Sequence, residues 1–303
     1  MSEIILHHYD MSPYAEKVRV ALGLKGLTWH SVQVPVVMPK PELTALTGGY
    51  RKTPVLQIGA DVYCDTTAIL RVLEQRYPTP SLYPVAAAAT VRALEVWAQG
   101  NFVTAVTLFF GTGDVFSEEF LADRRKMIPG GINEDLARAV GPSMRDHLRS
   151  RLTLLEQQLE DGRPYLLGDA ASAADLAAYH PIWFLSRSPL TEAALETFDR
   201  VRGWRDRIAG FGHGTRSEMD PEEALEVARR TVSATSPTSD PGDPIGRQPG
   251  DQVQVMPDDY ARDPVAGELV ASDAHEIAIR RHDARAGEVV VHFPREGFLT
   301  LAA

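Results

Sequence analysis

Over the first 78 residues the apolar positions switch between two periods. Ile4, Ile5 and Leu6 form a short run closed by Tyr9, Asp10 and Met11, which predicts a strand. From Ser12 the spacing becomes helical: Val18, Ala21 and Leu22 recur at i, i+3 and i+4 behind a serine suited to an N-cap and a proline suited to the first helical position. Gly26 ends that helix. Trp29 to Val34 predicts a second strand, followed by a loop carrying Pro35, Pro39, Pro41, Gly48 and Gly49. Pro54 to Ile58 and Asp61 to Cys64 predict a hairpin over Gly59 and Ala60, and a helix from about Thr66 to Tyr77 buries Ile69, Leu70 and Leu73 before Pro78 and Pro80 stop it. The order βαβ then ββα is that of an α/β domain.

From about residue 88 the pattern is helical. Val91, Leu94, Trp97, Ala98 and Phe102 keep one spacing, and Leu148, Leu152, Leu155 and Leu159 another. Ser172-Ala173-Ala174-Asp175 reads as a capping box in which each side chain reaches the other's backbone N–H, opening a helix with Leu176, Tyr179 and Trp183 on its apolar face. Pro181 is expected to kink it. The stretch 111 to 145, with Gly130-Gly131 and Gly141-Pro142, is less regular.

Asp220-Pro221 opens one more helix, over 221 to 232. Residues 233 to 250 are rich in Ser, Pro, Gly and Asp and read as a linker. Beyond it, Val253 to Met256, Val265 to Val270, Ile277 to Ile279 and Val289 to Phe293 predict a small antiparallel β module, expected to dock on the helical domain or a neighbouring subunit because it is too short to be comfortable alone. The predicted divisions are therefore 1–80, 88–214, 215–250 and 251–303.

Composition narrows the classes. The chain has 303 residues, 44% hydrophobic and 24% charged, enough to bury a large core. A single cysteine excludes a disulfide framework, and with no apolar run of membrane length a soluble, cytoplasmic protein is expected, with no membrane partner. The formal charge of -10 disfavours nucleic acid. Most of it lies after residue 214, where 9 basic face 17 acidic side chains. No internal repeat is present. The histidines have no metal-ligand spacing, so no metal is expected.

Four segments together carry a resemblance. Ser12-Pro13-Tyr14-Ala15-Glu16-Lys17-Val18-Arg19, Lys52-Thr53-Pro54-Val55-Leu56, Asp65-Thr66-Thr67-Ala68-Ile69, and Leu167-Gly168-Asp169 with Ser172 to Asp175 occur in the order and spacing of cytosolic glutathione transferases of the serine type. The resemblance spans about residues 3 to 212. It implies a thioredoxin-like N-terminal domain, a helical C-terminal domain and a homodimer; the β extension lies outside it. The loop Thr47 to Lys52 leans toward subgroups that include lignin β-etherases.

For the chemistry, the resemblance implies glutathione as co-substrate and a hydrophobic, aromatic electrophile included. A thiol must ionise to attack, and a serine hydroxyl at a helix N-terminus can stabilise the thiolate. Ser12 is thus the expected catalytic residue, although it could simply cap its helix. Tyr9 is the second choice, and it reads as a packing residue at the domain edge before it reads as a catalytic hydroxyl. By resemblance a cis Thr53-Pro54 bond would present the backbone of Thr53 to the cysteinyl unit, Asp65 and Thr66 would hold the γ-glutamyl end, and Lys52, or Arg51 beside it, would pair with the glycyl carboxylate. Cys64 reads as inert core filling. Most of the aromatics from Trp97 to Trp183 are expected in the core, with a few lining an electrophile pocket between the domains. The alternative function is a non-catalytic glutathione- or ligand-binding or assembly protein on the same fold.

Overall fold

The computed structural model describes residues 3–111, 116–128 and 133–303. The first segment follows the predicted order: β1 (Ile5–His8), α1 (Pro13–Leu24), β2 (Thr28–Gln33), α2 (Pro41–Thr47), β3 (Val55–Ile58), β4 (Asp61–Cys64) and α3 (Thr66–Arg76). Strand β1 pairs in parallel with β2 and antiparallel with β3, and β3 pairs antiparallel with β4, as a thioredoxin-like half requires. The stretch read as a proline-rich loop contains α2. Pro41 supplies its first turn and Gly48, at φ 77°, ends it in the left-handed region that favours glycine.

The helical part comprises α4 (Ala88–Gly111), α5 (Glu118–Met127), α6 (Glu134–Gln158), α7 (Ala173–Leu185), α8 (Pro189–Glu192) and α9 (Asp199–Ala209). Gly130 and Gly131 lie outside the described residues. Gly141 and Pro142 do not interrupt α6, because Leu148, Leu152 and Leu155 on the same helix are buried in the common core and tertiary packing outweighs local propensity. At the start of α7, Asp175 accepts from the backbone N–H of Ser172 (2.9 Å) and from that of Leu166 (2.8 Å), and also from Trp204 Nε1 (2.9 Å). The carboxylate therefore ties three parts of the domain together. No helix among the described residues is long and apolar enough to cross a membrane.

After α9 the chain returns to the first sheet. Strand β5 (Thr215–Glu218) pairs in parallel with β2, and α10 (Pro221–Arg230) follows. The four expected strands are present as β6 (Gln252–Pro257), β7 (Val265–Ser272), β8 (Glu276–Asp283) and β9 (Gly287–Pro294), with β10 (Phe298–Ala302) in addition. Their strands pair with the α/β part and not with the helical domain, which was the anticipated partner within the chain; only turns of the module reach the helices, as where Glu296 pairs with Arg92 of α4 at 3.1 Å. Strand β9 pairs in parallel with β4, with Val62 opposite Val291, and one ten-stranded sheet results in the order β10-β6-β7-β8-β9-β4-β3-β1-β2-β5. The physical reason is that β4 offers an open edge and apolar neighbours. Val55, Val62 and Cys64 share a buried cluster with Val255, Val265, Ile277, Ile279, Val289, Val291 and Phe293.

The stretch 233–250 is likewise no free tether. Ser233 Oγ and the Ala234 N–H both donate to Asp61, Thr238 bridges to Ala271, and the Gly250 N–H donates to the carbonyl of Leu269 at 2.8 Å. Arg281 of β8 donates to the carbonyls of Ala45 and Leu46 at the C-terminus of α2, where a cation is favoured.

Candidate functional site

A cleft of about 1390 Å3 runs between the α/β and helical parts. It brings together every residue expected from the sequence: Tyr9, Ser12, Lys52, Thr53, Pro54, Asp65 and Thr66 all line it.

Ser12 ends the loop after β1 and caps α1. Its Oγ accepts from the Ala15 N–H at 3.2 Å, so the capping role is present, and the hydroxyl hydrogen stays available because a serine oxygen can accept and donate at once. The residue is almost wholly buried. Tyr9 is half-buried against the second core cluster, its ring 5.8 Å from Lys40 Nζ.

The Thr53-Pro54 bond is cis, and neither the N–H nor the C=O of Thr53 has a backbone partner among the described residues. Asp65 caps α3, accepting from the Thr67 N–H at 2.8 Å, and holds φ 77°, a conformation that asparagine and aspartate tolerate better than other side-chain-bearing residues. Thr66 begins that helix, so its N-terminal amides face the cleft where an anion is welcome. Cys64 is fully buried and burial pushes its thiol well up, in keeping with core filling.

The two expected carboxylate readers are already engaged. Lys52 Nζ lies 2.5 Å from Asp259 Oδ1 and 3.9 Å from the centroid of Tyr260, while Arg51 pairs with Asp123 on α5 at 2.5 Å. Among the described cations that line the cleft, Lys40 is the one without an ion pair. It is 4% exposed and donates to Thr53 Oγ1 (3.1 Å) and the Arg51 carbonyl (3.3 Å). Burial, reinforced by the Arg124 and Arg51 charges, lowers its pKa to about 8. No motif marks Lys40 in the sequence, since it sits in a loop between two prolines.

The helical side of the cleft is aromatic. Phe109 stacks on Phe184 at 4.4 Å and Phe116 on Phe120 at 4.6 Å, with Phe102 and Phe110 beside them. Tyr14, the aromatic residue of the Ser-Pro-Tyr start, hydrogen-bonds Gln99 of α4 and packs on Phe102 and on His180. Burial depresses His180 to about 3 and keeps it neutral. Lys17 pairs with Glu95 at 3.1 Å, joining α1 to α4 across the cleft floor. Asp258, Asp259, Tyr260 and Glu296 of the C-terminal sheet form a further wall. Nothing in the sequence marked them as site residues, because the nearest of the earlier site residues is some two hundred positions away in the chain.

The family model for the glutathione S-transferase N-terminal domain matches residues 6–81, and that for the C-terminal domain matches residues 119–207. The chain belongs to the glutathione S-transferase family. Among solved structures, a GST-like protein from Pseudomonas syringae is 40% identical with a TM-score of 0.80, and the similarity covers 100% of both chains. It therefore includes the C-terminal sheet that the two transferase models leave out. FtsZ-localized protein A of Caulobacter vibrioides is 29% identical over 181 residues, 58% of this chain and 74% of that protein. A zeta-class glutathione S-transferase of Euphorbia esula is 37% identical over 83 residues, 26% of this chain and 36% of that one. The last likeness spans only about a third of that transferase's length. Transferases of this family bind glutathione, and the cleft described above is lined by residues from both matched parts of the chain.

Proposed function

We propose that this chain binds glutathione in the cleft and activates its thiol for attack on a hydrophobic electrophile, aromatic ethers of the lignin type included. The observation that carries the reading is the convergence of Ser12, the cis Thr53-Pro54 bond, Asp65 and Thr66 on one wall, opposite a cluster of phenylalanines. Asp65 would take the γ-glutamyl ammonium and Thr66 the γ-glutamyl carboxylate, the Thr53 backbone the cysteinyl unit, and Lys40 the glycyl carboxylate. Ser12 would then donate its hydroxyl hydrogen to the thiolate at the N-terminus of α1. The stacked rings favour a flat apolar acceptor. A homodimer is proposed with it, checked by sedimentation at micromolar concentration.

The test is turnover with glutathione and a panel of aromatic electrophiles. Ser12→Ala is expected to lower turnover ten-fold or more while leaving glutathione binding nearly unchanged, as for a group acting on the thiolate. A second reading, an assembly or ligand-binding protein without turnover, is favoured by the similarity to FtsZ-localized protein A and by the burial of Ser12. Glutathione binding with no turnover across the panel, in wild type and Ser12→Ala alike, would select it.

A further inference from the structure

The turn after β6 is held from three directions. The Asp258 N–H donates to the Gly297 carbonyl at 3.0 Å, the Ala261 N–H to the Met127 carbonyl at the end of α5 at 2.9 Å, and Asp259 pairs with Lys52 of the α/β part. Ala261 takes a positive φ of 52°, a left-handed conformation uncommon for a residue with a β-carbon. Between these anchors the Tyr260 ring lies under Lys52 Nζ and lines the cleft, and its hydroxyl has no hydrogen-bond partner among the described residues. The residue is half-buried, so its phenol is held at the cleft surface with its hydrogen free to be donated to an acceptor on a bound ligand. Desolvation, with Asp259 and Asp65 nearby, pushes its ionisation well up, so it stays protonated.

We propose that Tyr260 contacts the bound peptide thiol, donating its phenolic hydrogen to an acceptor on it, and that Lys52 with Asp259 is the clamp that positions Tyr260. The inference rests on the cleft binding glutathione. It assigns Lys52 a different task from reading the glycyl carboxylate, because Asp259 and the Tyr260 ring already occupy its charge. The C-terminal sheet, which the transferase models do not cover, thereby becomes part of the ligand site.

Calorimetry on the full chain, with glutathione and with its glycyl ethyl ester as probes, separates the possibilities. Tyr260→Phe keeps the ring under Lys52 and removes only the hydroxyl; it is expected to weaken both probes about ten-fold. Lys52→Met and Asp259→Asn are expected to weaken both probes by similar factors. Lys52→Met added to Tyr260→Phe should cost little more than either alone, as coupled positions do. Tyr260→Phe binding like wild type overturns the contact. The clamp is overturned if Lys52→Met spares the ester while weakening the free acid, or if Asp259→Asn tightens the free acid alone. Asp259 is half-exposed, so its variant remains informative should the Tyr260 variant not fold. A wild-type chain that binds neither probe refutes the glutathione reading itself and this inference with it; binding insensitive to all three substitutions refutes this inference alone.

Discussion

The Asp61 carboxylate on β4 lies 3.3 Å from Nε2 of His292 on β9, with both side chains 3% exposed, so the seam between the α/β part and the C-terminal strands carries a buried ion pair. Glu276 accepts from His292 Nδ1 at 2.8 Å, and Tyr63 stacks on the imidazole at 4.3 Å. Burial alone would depress the imidazole, yet the two carboxylates raise its pKa above the ordinary 6.5. Burial would likewise raise Asp61, but His292, Ser233 and the Ala234 amide hold it below its usual value. The histidine's contribution to stability is therefore complete below about pH 6.5 and fades as pH climbs through its folded value. The Asp61 contribution is present above its unfolded pKa and is lost as pH falls through the lower folded one. His292→Ala should cost about 3–5 kcal/mol near neutrality, by leaving a buried carboxylate unpaired. Thermal melts from pH 5 to 9 should show the gap to wild type narrowing toward alkaline pH; parallel curves would contradict the pairing.

Replacing Asp65 by Asn tests charge apart from fold. Asparagine keeps the cap of α3 and tolerates the positive φ, so the melting temperature should move little. Retention on immobilised glutathione should fall by about 1.5–3 kcal/mol, the worth of a hydrogen bond to a charged group. Unchanged retention would remove Asp65 from the ligand site.

Asp175→Ala should destabilise the helical part by about 3 kcal/mol, because the N–H groups of Leu166 and Ser172 and the Trp204 indole all lose their acceptor. Denaturant unfolding measures the loss. Asp175→Asn, which retains one acceptor oxygen, should lie between the variant and wild type.

A chain ending at residue 250 would lose β6 to β10 and uncover the edge of β4 together with the faces of Val55, Val62 and Cys64. Light scattering should report aggregation, as an unprotected apolar edge implies. A monodisperse truncation that melts like the full chain would mean that the shared core contributes little.

The sequence carried the elements whose signals are local. Ser12-Pro13 announced α1, Gly59-Ala60 the hairpin, and Asp220-Pro221 the last helix, each through chemistry completed within a few residues. Helix α2 was hidden because Pro41 and Gly48, its start and stop signals, are only seven residues apart and look like loop punctuation. The site divides in the same way. Ser12, Thr53, Pro54, Asp65 and Thr66 sit in motifs, whereas Lys40 and Tyr260 owe their place to burial and to pairing across the fold. The docking of the tail was read wrongly for a related reason: alternation of valines fixes which face is buried but not which edge they join.

Strands β4 and β9 are immediate neighbours, yet the whole helical part and the turn-rich segment after α10 are synthesised between them. On the ribosome the leading strands emerge first and must hold an unfilled edge while the helices are made. The helical part can settle before the sheet that frames it is finished. Strands β9 and β10 can take their places only after the helical part has been made, so the wall that carries Tyr260 and Glu296 is added to a cleft whose other two sides already exist.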